Sequence, residues 1–210
     1  MTVVQPNLRS GSAGGRPRDA DRTAEILRAA LDLVEEVGFG QVTVERIAAR
    51  TGVAKTTIYR RWPNVSVLVT DAFLAEVTAL VLVDGTLNAR EALRGSMHDL
   101  VRVFQGRGGH ILRGLLGQAQ KDEILRQSLL HRWLTPRRQL GLEVVRLGKQ
   151  SGELSQNLDE DVVIDALFGP LYYRLMMPYA PLSGAYADEV LRQVFAGLEP
   201  PAHNHVRPAP

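Results

Sequence analysis

The sequence predicts an all-α protein with a small three-helix N-terminal domain followed by a larger helical domain. Apolar residues recur at helical spacing along most of the chain, strand-like alternation is missing, and breaks containing Gly or Pro separate the apolar stripes. We expect a disordered arm, a three-helix domain, a larger helical domain and a disordered Pro-rich tail, at residues 1–15, 16–64, 65–198 and 199–210.

The composition is that of an ordinary globular protein, with 45% hydrophobic and 23% charged residues. The absence of cysteine excludes disulfides, thiolate catalysis and cysteine zinc sites. No apolar run is long enough to span a membrane and the N-terminus does not resemble a signal peptide, so we expect a cytoplasmic protein. Lys and Arg outnumber Asp and Glu by ten to seven in the first 70 residues and not in the rest, which favours a nucleic-acid partner for that part.

The first helix is predicted to begin near Asp19 or Asp21, because either carboxylate can accept hydrogen bonds from the N–H groups of a first helical turn. Gly38 is expected to end it. Its apolar stripe consists of Ile26, Leu27, Ala30, Leu33, Val34 and Val37.

Two short helices follow at residues 44–50 and 55–62, separated by Thr51-Gly52. Thr43 is the expected N-cap of the first, since its hydroxyl can accept a backbone hydrogen bond. This pattern is typical of a helix-turn-helix, whose second helix enters the major groove of DNA.

Longer helices occupy the rest of the chain. A fourth helix is expected from the Pro63-Asn64 break to about residue 83, with Leu80 on it. Pro136 should kink one later helix and Pro170 the next. The later helices are predicted at residues 89–105, 110–120, 122–150, 160–178 and 185–198.

The third helix carries hydroxyl groups and a cation on its outer side. At about 100° per residue, Ile58 and Trp62 point to the core. The opposite side carries Thr56, Thr57, Tyr59 and Arg60. An ordinary solvated helix is the alternative for each residue alone, but several hydroxyls with no acid among them favour DNA for the set.

These side chains suit the major groove. Arg60 can donate two hydrogen bonds to guanine, and Thr56 and Thr57 can bond bases or phosphates or contact a thymine methyl. Tyr59 and Lys55 are expected to hold phosphates, which sets register without reading sequence.

Two further residues are phosphate candidates. Arg61 lies nearer the core edge and is the weaker one. Thr43 stands at a helix N-terminus, where a hydroxyl and unpaired N–H groups favour a phosphate.

This block resembles the TetR (tetracycline repressor) family of transcriptional regulators over about residues 16–82. Residues 117–120 and 167–174 show a weaker resemblance to the regulatory domains of an actinobacterial-type subgroup. The residues that carry the main resemblance are Gly38, Phe39, Thr43, Val44, Ile47, Ala48, Gly52, Val53, Thr57, Ile58, Tyr59, Arg61, Trp62, Pro63 and Leu68.

The resemblance implies a homodimer that binds double-stranded, palindromic operator DNA and represses until a small ligand releases it. It implies a C-terminal domain for ligand binding and dimerisation. Arg18 and Arg22 become basic-arm and first-helix phosphate contacts. The other implied DNA contacts are Thr43, Lys55, Thr56, Thr57, Tyr59 and Arg60.

Two departures from the family pattern affect the ends of the third helix. Ala54 replaces a common serine and removes an N-cap hydroxyl, at a cost of about 1 kcal/mol. Asn64-Val65-Ser66 replaces a common lysine contact, although Asn64 can cap the fourth helix.

A pocket for a small apolar or amphipathic effector is expected between helices. Ordinary core packing is the alternative for each candidate. Arg174 could meet a ligand anion, or Asp161 or Asp165, and His131 is the other polar side chain in apolar surroundings. Candidate pocket residues are Phe73, Val77, Leu100, Phe104, Leu115, Trp133, Tyr172, Tyr173 and Met176.

The last two helices have wide apolar faces that are expected to form a symmetric four-helix interface with a second copy. One chain could also bury these faces internally. The candidate interface residues are Leu167, Phe168, Leu171, Leu175, Met176, Val190, Leu191, Val194 and Leu198.

Two other functions are possible on sequence grounds. An enzyme is disfavoured because none of the five histidines belongs to a recognisable nucleophile or metal motif; we expect no catalytic residue, metal or cofactor. An architectural DNA-binding protein that needs no ligand would lack a cavity in its C-terminal half.

Overall fold

The computed structural model describes residues 16–77 and 88–198, and all secondary structure in these ranges is helical, as predicted. Leu80 lies outside the described residues. None of the described helices is long and apolar enough to cross a membrane. The helices are α1 Arg16–Val37, α2 Val44–Thr51, α3 Lys55–Arg61, α4 Val65–Val77, α5 Ala89–Gln105, α6 Arg107–Ala119, α7 Glu123–Leu129, α8 Thr135–Gln150, α9 Glu160–Met176 and α10 Gly184–Leu198.

Helix α1 begins at Arg16, so the prediction of an N-cap at Asp19 or Asp21 is wrong. Pro17 suits the first turn because its missing N–H would have no partner there. The acids that follow lie near the positive end of the helix dipole, which also favours helix formation without a capping contact.

Glycines with positive φ end the first two helices at the positions predicted from the sequence. Gly38 has φ 76° and its N–H donates to the carbonyl of Val34 at 3.0 Å. Gly52, with φ 65°, ends α2. A short 3₁₀ turn at Phe39–Gln41, which the sequence did not predict, leads into α2.

The caps of α2, α3 and α4 agree with the sequence. The Thr43 hydroxyl accepts from the N–H of Arg46 at 3.2 Å. Ala54 gives α3 no side-chain cap. The Asn64 side chain accepts from the N–H of Val67 at 2.9 Å, so asparagine caps α4.

The predicted long helix at 122–150 is instead α7, a π-helical turn at Leu130–Leu134, and α8. Pro136 lies in the first turn of α8. A proline within a helix has no N–H to donate to the carbonyl four residues earlier. The wider turn lies immediately before it, and the Thr135 N–H donates to the carbonyl of Leu130.

Two other boundaries differ from the prediction. Helix α6 begins at Arg107 rather than at residue 110, with Gly106 in extended conformation before it. Helix α9 ends at Met176. Asp159 caps α9 by accepting from the N–H of Val162 at 3.1 Å.

Candidate nucleic-acid interface and cavity

Helix α3 presents one polar face to solvent and buries the other. Ile58 is 0% and Trp62 4% exposed, whereas Tyr59 is 49% exposed. Thr56 and Arg60 are exposed and Thr57 is half-buried. The inward and outward sides therefore lie where the sequence predicted, while contact with DNA stays a prediction.

Thr43 is exposed at the N-terminus of α2, and its contact with a phosphate stays a prediction. Its oxygen accepts from the Arg46 N–H, and its side chain also forms a hydrogen bond with Glu45 that helps to lower the pKa of that carboxyl. The N-terminus of α2 adds the partial positive charge of a helix end.

Lys55 is exposed and its ammonium lies 3.4 Å from the carboxylate of Glu45 on α2. A hydrogen bond from its own backbone N–H, together with Lys55, lowers the pKa of Glu45. Glu45 of α2 therefore lies next to the outer face of α3, which was predicted from the sequence to contain no acid. It reduces the charge that Lys55 can offer to a phosphate.

The three other predicted cations differ in their surroundings. Arg61 is half-buried and donates to the Thr23 hydroxyl of α1, which turns its guanidinium toward α1. Arg22 is exposed on α1. The backbone of Arg18 lies in α1, and its side chain is outside the described side chains.

Arg46 is a cation that the sequence reasoning missed. It lies in the first turn of α2, three residues after Thr43, and its side chain is exposed. The signal was available in the sequence, because a side chain three residues past an N-cap shares the helix end with it.

Polar contacts connect the N-terminal domain to the helices that follow. Trp62 Nε1 donates to Asp71 Oδ2 at 2.6 Å, and Asp71 Oδ1 forms an ion pair with Arg132 in the π turn. The Ser66 hydroxyl donates to Asp122 at 2.7 Å. The end of α3 is thereby joined through α4 to the start of α7 and to the π turn.

A second connection reaches α1. The guanidinium of Arg107, at the start of α6, donates to Glu35 at 2.8 Å and also pairs with Asp32. Both acids lie on α1, so α6 is tied to the first helix of the N-terminal domain.

A cavity of about 170 Å³ lies between α5, α8 and α9. Of the predicted pocket residues, only Leu100 and Tyr172 line it. The full lining is Ser96, Leu100, Leu134, Arg137, Arg138, Leu140, Gly141, Ile164, Asp165, Phe168, Gly169 and Tyr172.

The other residues predicted to line a ligand pocket do not line this cavity. Tyr173 and Met176 are exposed at the surface, since they lie on the outer side of α9. Phe104 lines a separate pocket near the start of α10. The others are packed in the core: Phe73, Val77, Leu115 and Trp133.

Arg137 is half-buried at the cavity and stacks on the Trp133 ring, with its guanidinium carbon 3.5 Å from the ring centroid. Its Nη1 donates to the Trp133 carbonyl at 3.0 Å, and its Nε is buried without a hydrogen-bond partner. Burial lowers the pKa of Arg137. Arg137 was not among the residues predicted from the sequence, although tryptophan and arginine four residues apart can stack.

Tyr172 is the second polar group at the cavity. Its hydroxyl accepts from Trp133 Nε1 at 2.9 Å. Burial raises the pKa of Tyr172 to about 12, so the phenol stays protonated at neutral pH and can donate.

Arg174 and His131, the two polar residues predicted to lie in apolar surroundings, have different contacts in the structure. Arg174 donates to the Pro181 carbonyl at 2.5 Å and stacks on Tyr186 at 3.2 Å; it does not meet Asp161 or Asp165. Those acids pair with Arg138 instead. His131 is exposed in the π turn, so its predicted apolar surroundings are absent.

The predicted dimer interface must be revised, because leucines on α9 and α10 are buried inside one protomer and cannot form its outer surface. They are Leu167, Leu171, Leu175 and Leu191. Phe168, Val190 and Val194 are half-buried against the same core. The side chain of Leu198 is outside the described side chains.

Within 16–77 and 88–198, no group of three or more His, Asp or Glu side chains is close enough together to hold a metal ion.

Comparisons with known proteins connect both halves of the chain to one family. Residues 26–70 match the family described as bacterial regulatory proteins, tetR family, and residues 83–194 match the tetracyclin repressor-like C-terminal domain. An uncharacterized HTH-type transcriptional regulator of Bacillus subtilis, YdeS, is 36% identical over 188 residues, which are 90% of this chain and 95% of that protein.

Solved structures share the fold. The crystal structure of a TetR family transcription regulator gives a TM-score of 0.69 at 30% identity, covering 86% of this chain and 100% of the other. The regulator FadR from Bacillus subtilis, in complex with stearoyl-CoA, gives a TM-score of 0.69 at 21% identity, covering 83% and 98%.

Proposed function

Because this chain belongs to the TetR family of helix-turn-helix transcriptional regulators, we propose that it is a repressor that leaves its operator when a small ligand binds. The observation that carries the proposal is the outward face of α3, with Tyr59 and Arg60 exposed over a buried Ile58 and Trp62. Such a protein acts in the cytoplasm, where a bacterial chromosome lies.

The α3 face divides into residues that read bases and residues that hold the backbone. Arg60, Thr56 and Thr57 read bases by direct hydrogen bonds and methyl contacts. Tyr59 and Lys55 hold phosphates; the nearby Glu45 makes Lys55 the weaker of the two.

Phosphates on either side of the groove are held by the N-terminal ends of α1 and α2. Thr43 and Arg46 act together at the start of α2, where the hydroxyl, the guanidinium and the helix dipole all favour an anion. Arg22 and Arg18 act from α1. Arg61 contributes less, because its guanidinium is directed to Thr23.

The dimer forms through the outer sides of α8 and α9. Along α9, Val162 is 62% and Tyr173 57% exposed, and the small Ala166 and Gly169 lie exposed between them. Their spacing of four, three and four residues keeps them on one face of the helix. On α8, Leu140 and Leu147 are also exposed, and they lie seven residues apart.

A two-fold dimer of this kind presents two copies of α3 to successive major grooves. Half-site centres are then about 34–36 Å apart, so the operator is palindromic.

The cavity between α5, α8 and α9 is the proposed effector site. It is largely apolar, as ligand pockets usually are, and a protein with the same fold holds stearoyl-CoA. An architectural protein, whose DNA binding does not depend on a ligand, does not require such a cavity. The proposed effector is small and either apolar or amphipathic.

The π turn provides a physical connection between ligand and DNA. Trp133 borders Arg137 at the cavity, while the adjacent Arg132 pairs with Asp71, which in turn bonds Trp62 at the end of α3. A ligand that moves Trp133 therefore acts on the residue that positions the recognition helix.

Selection of bound duplexes from a random pool by the full-length protein tests this function. We expect a palindrome with half-sites about one helical turn apart. Binding of all sequences with equal affinity would instead support an architectural role.

A further inference from the structure

Two adjacent arginines line the cavity, and their electrostatic partners differ. Arg138 is neutralised from both sides, with its guanidinium 2.7 Å from Asp161 and 2.5 Å from Asp165. Among the described residues, Arg137 has no carboxylate partner: its contacts are the Trp133 ring and the Trp133 carbonyl. Asp165, the acid in the cavity lining, is therefore already paired with the neighbouring arginine.

The guanidinium of Arg137 is both partly desolvated and incompletely hydrogen-bonded. Its Nε is buried with no partner, which is costly for a charged donor. Stacking on Trp133 fixes the plane of the guanidinium, so its geometry is already set before any ligand arrives.

We propose that Arg137 anchors the carboxylate of an effector whose apolar body fills the cavity between α5, α8 and α9. A planar guanidinium donates to a planar carboxylate in a two-pronged arrangement, which makes a carboxylate its best-matched anion. This inference rests on the proposed sensor role of the same cavity.

Tyr172 provides a second donor at the same place. Its hydroxyl oxygen accepts from the Trp133 N–H, so its hydrogen is not used in that contact and can be donated to another acceptor. Because the phenol remains protonated, it can donate to the carboxylate together with Arg137.

The rest of the lining suits an apolar body. Leu100, Ile164 and Phe168 surround the space, and Gly141 leaves room where a Cβ would lie 2.8 Å from Ile164. A cavity of about 150 Å³ can hold benzene, so about 170 Å³ accommodates one aryl ring or a short alkyl chain.

The opening of the cavity coincides with the proposed dimer face. Leu140 and Gly169 belong to both. A second protomer packed there covers the opening and reduces contact with water, which strengthens the ion pair between Arg137 and the carboxylate.

The test compares carboxylates with neutral molecules of the same shape. Isothermal titration calorimetry on the DNA-free, full-length protein measures binding of benzoate against benzamide, 4-ethylbenzoate against 4-ethylbenzamide, and octanoate against octanol. We expect each carboxylate to bind wild type about tenfold to a hundredfold more tightly than its neutral counterpart.

Substitutions assign that preference to one residue. Arg137→Met should bind both members of a pair equally, and Arg137→Lys should keep a reduced preference because it retains charge without the planar fork. Arg174→Met is the matched control: Arg174 also stacks on an aromatic ring, donates to a backbone carbonyl and has a buried, unpartnered Nε, but lies outside the cavity. It should behave as wild type.

Three results would overturn the proposal: no carboxylate preferred by wild type, preference kept in Arg137→Met, or preference lost in Arg174→Met. Thermal melts of the variants show whether each is folded. The failure of the proposed function looks different, because carboxylates would then bind through Arg137 in calorimetry and yet leave operator affinity unchanged in a gel shift.

Discussion

The indole N–H of Trp62 donates a 2.6 Å hydrogen bond to Asp71 Oδ2, which joins the end of α3 to the middle of α4. Trp62 is 4% exposed, so its N–H has little access to water as an alternative partner. The other oxygen of Asp71 pairs with Arg132. One carboxylate thus positions the recognition helix and holds the π turn beside the cavity.

Replacing Asp71 with alanine should lower the free energy of unfolding by about 1–3 kcal/mol, because it leaves the buried Trp62 N–H without an acceptor. Asp71→Asn retains an acceptor oxygen and should cost less. Urea unfolding measures both. In a double-mutant cycle, the Asp71→Ala substitution should cost much less in a Trp62→Phe background than in wild type; additive effects would contradict the contact.

Tyr59→Ala should abolish operator binding and leave the oligomeric state unchanged, since the exposed ring makes no contribution to the core. A gel shift and sedimentation velocity measure the two properties. Tyr179→Ala is the control, because Tyr179 is 67% exposed in the loop after α9, away from α3. Unchanged operator affinity in Tyr59→Ala would remove Tyr59 from the interface.

A charge on the outer side of α9 should dissociate the dimer. Val162→Asp places a carboxylate on the exposed apolar face that forms the proposed interface, and analytical ultracentrifugation should show a shift toward monomer. Ala196→Asp, on the exposed side of α10, is the matched control and should stay dimeric. If both variants keep the wild-type oligomeric state, the dimer uses another surface.

Asp188 should make stability depend on pH in the acid range. A hydrogen bond from Arg94, together with one from His98, lowers the pKa of Asp188 from its ordinary value of 3.8. Because folding lowers this pKa, Asp188 stabilises the folded protein at pH values above the pKa of the unfolded state. The contribution is lost as the pH falls through the pKa of the folded state. Asp188→Asn should therefore lose less stability than wild type between pH 5 and pH 3, measured by thermal melts; parallel curves would contradict this.

The local features of the N-terminal domain could be predicted from the sequence because they depend on residues close together in the chain. Helical periodicity alone separates Ile58 from Tyr59, and the capping role of Thr43 needs only its hydroxyl and the first turn of α2. The start of α1 was missed because Asp19 and Asp21 favour a helix from inside its first turns as well as from its cap.

The features of the C-terminal domain depend on contacts between distant segments. Periodicity identifies Leu167 and Leu171 as one apolar face, but it does not say whether α5, α8 and α10 of the same chain or a second copy covers that face. The carboxylates on α9 could pair with Arg138 or Arg174, and only the packing of α8 on α9 decides for Arg138. The stacking of Arg137 on Trp133 was not predicted, because Trp133 lies in a π turn that the sequence did not predict.

The most direct test of the account is a comparison of operator sequences selected by wild type and by Arg60→Ala from one random pool. We predict a palindrome for wild type, and for Arg60→Ala the loss of preference at one symmetric guanine per half-site with the other positions retained. Identical selected sequences, with affinity lowered equally for all DNA, would contradict base reading by Arg60 and the assignment of the α3 face on which the account depends.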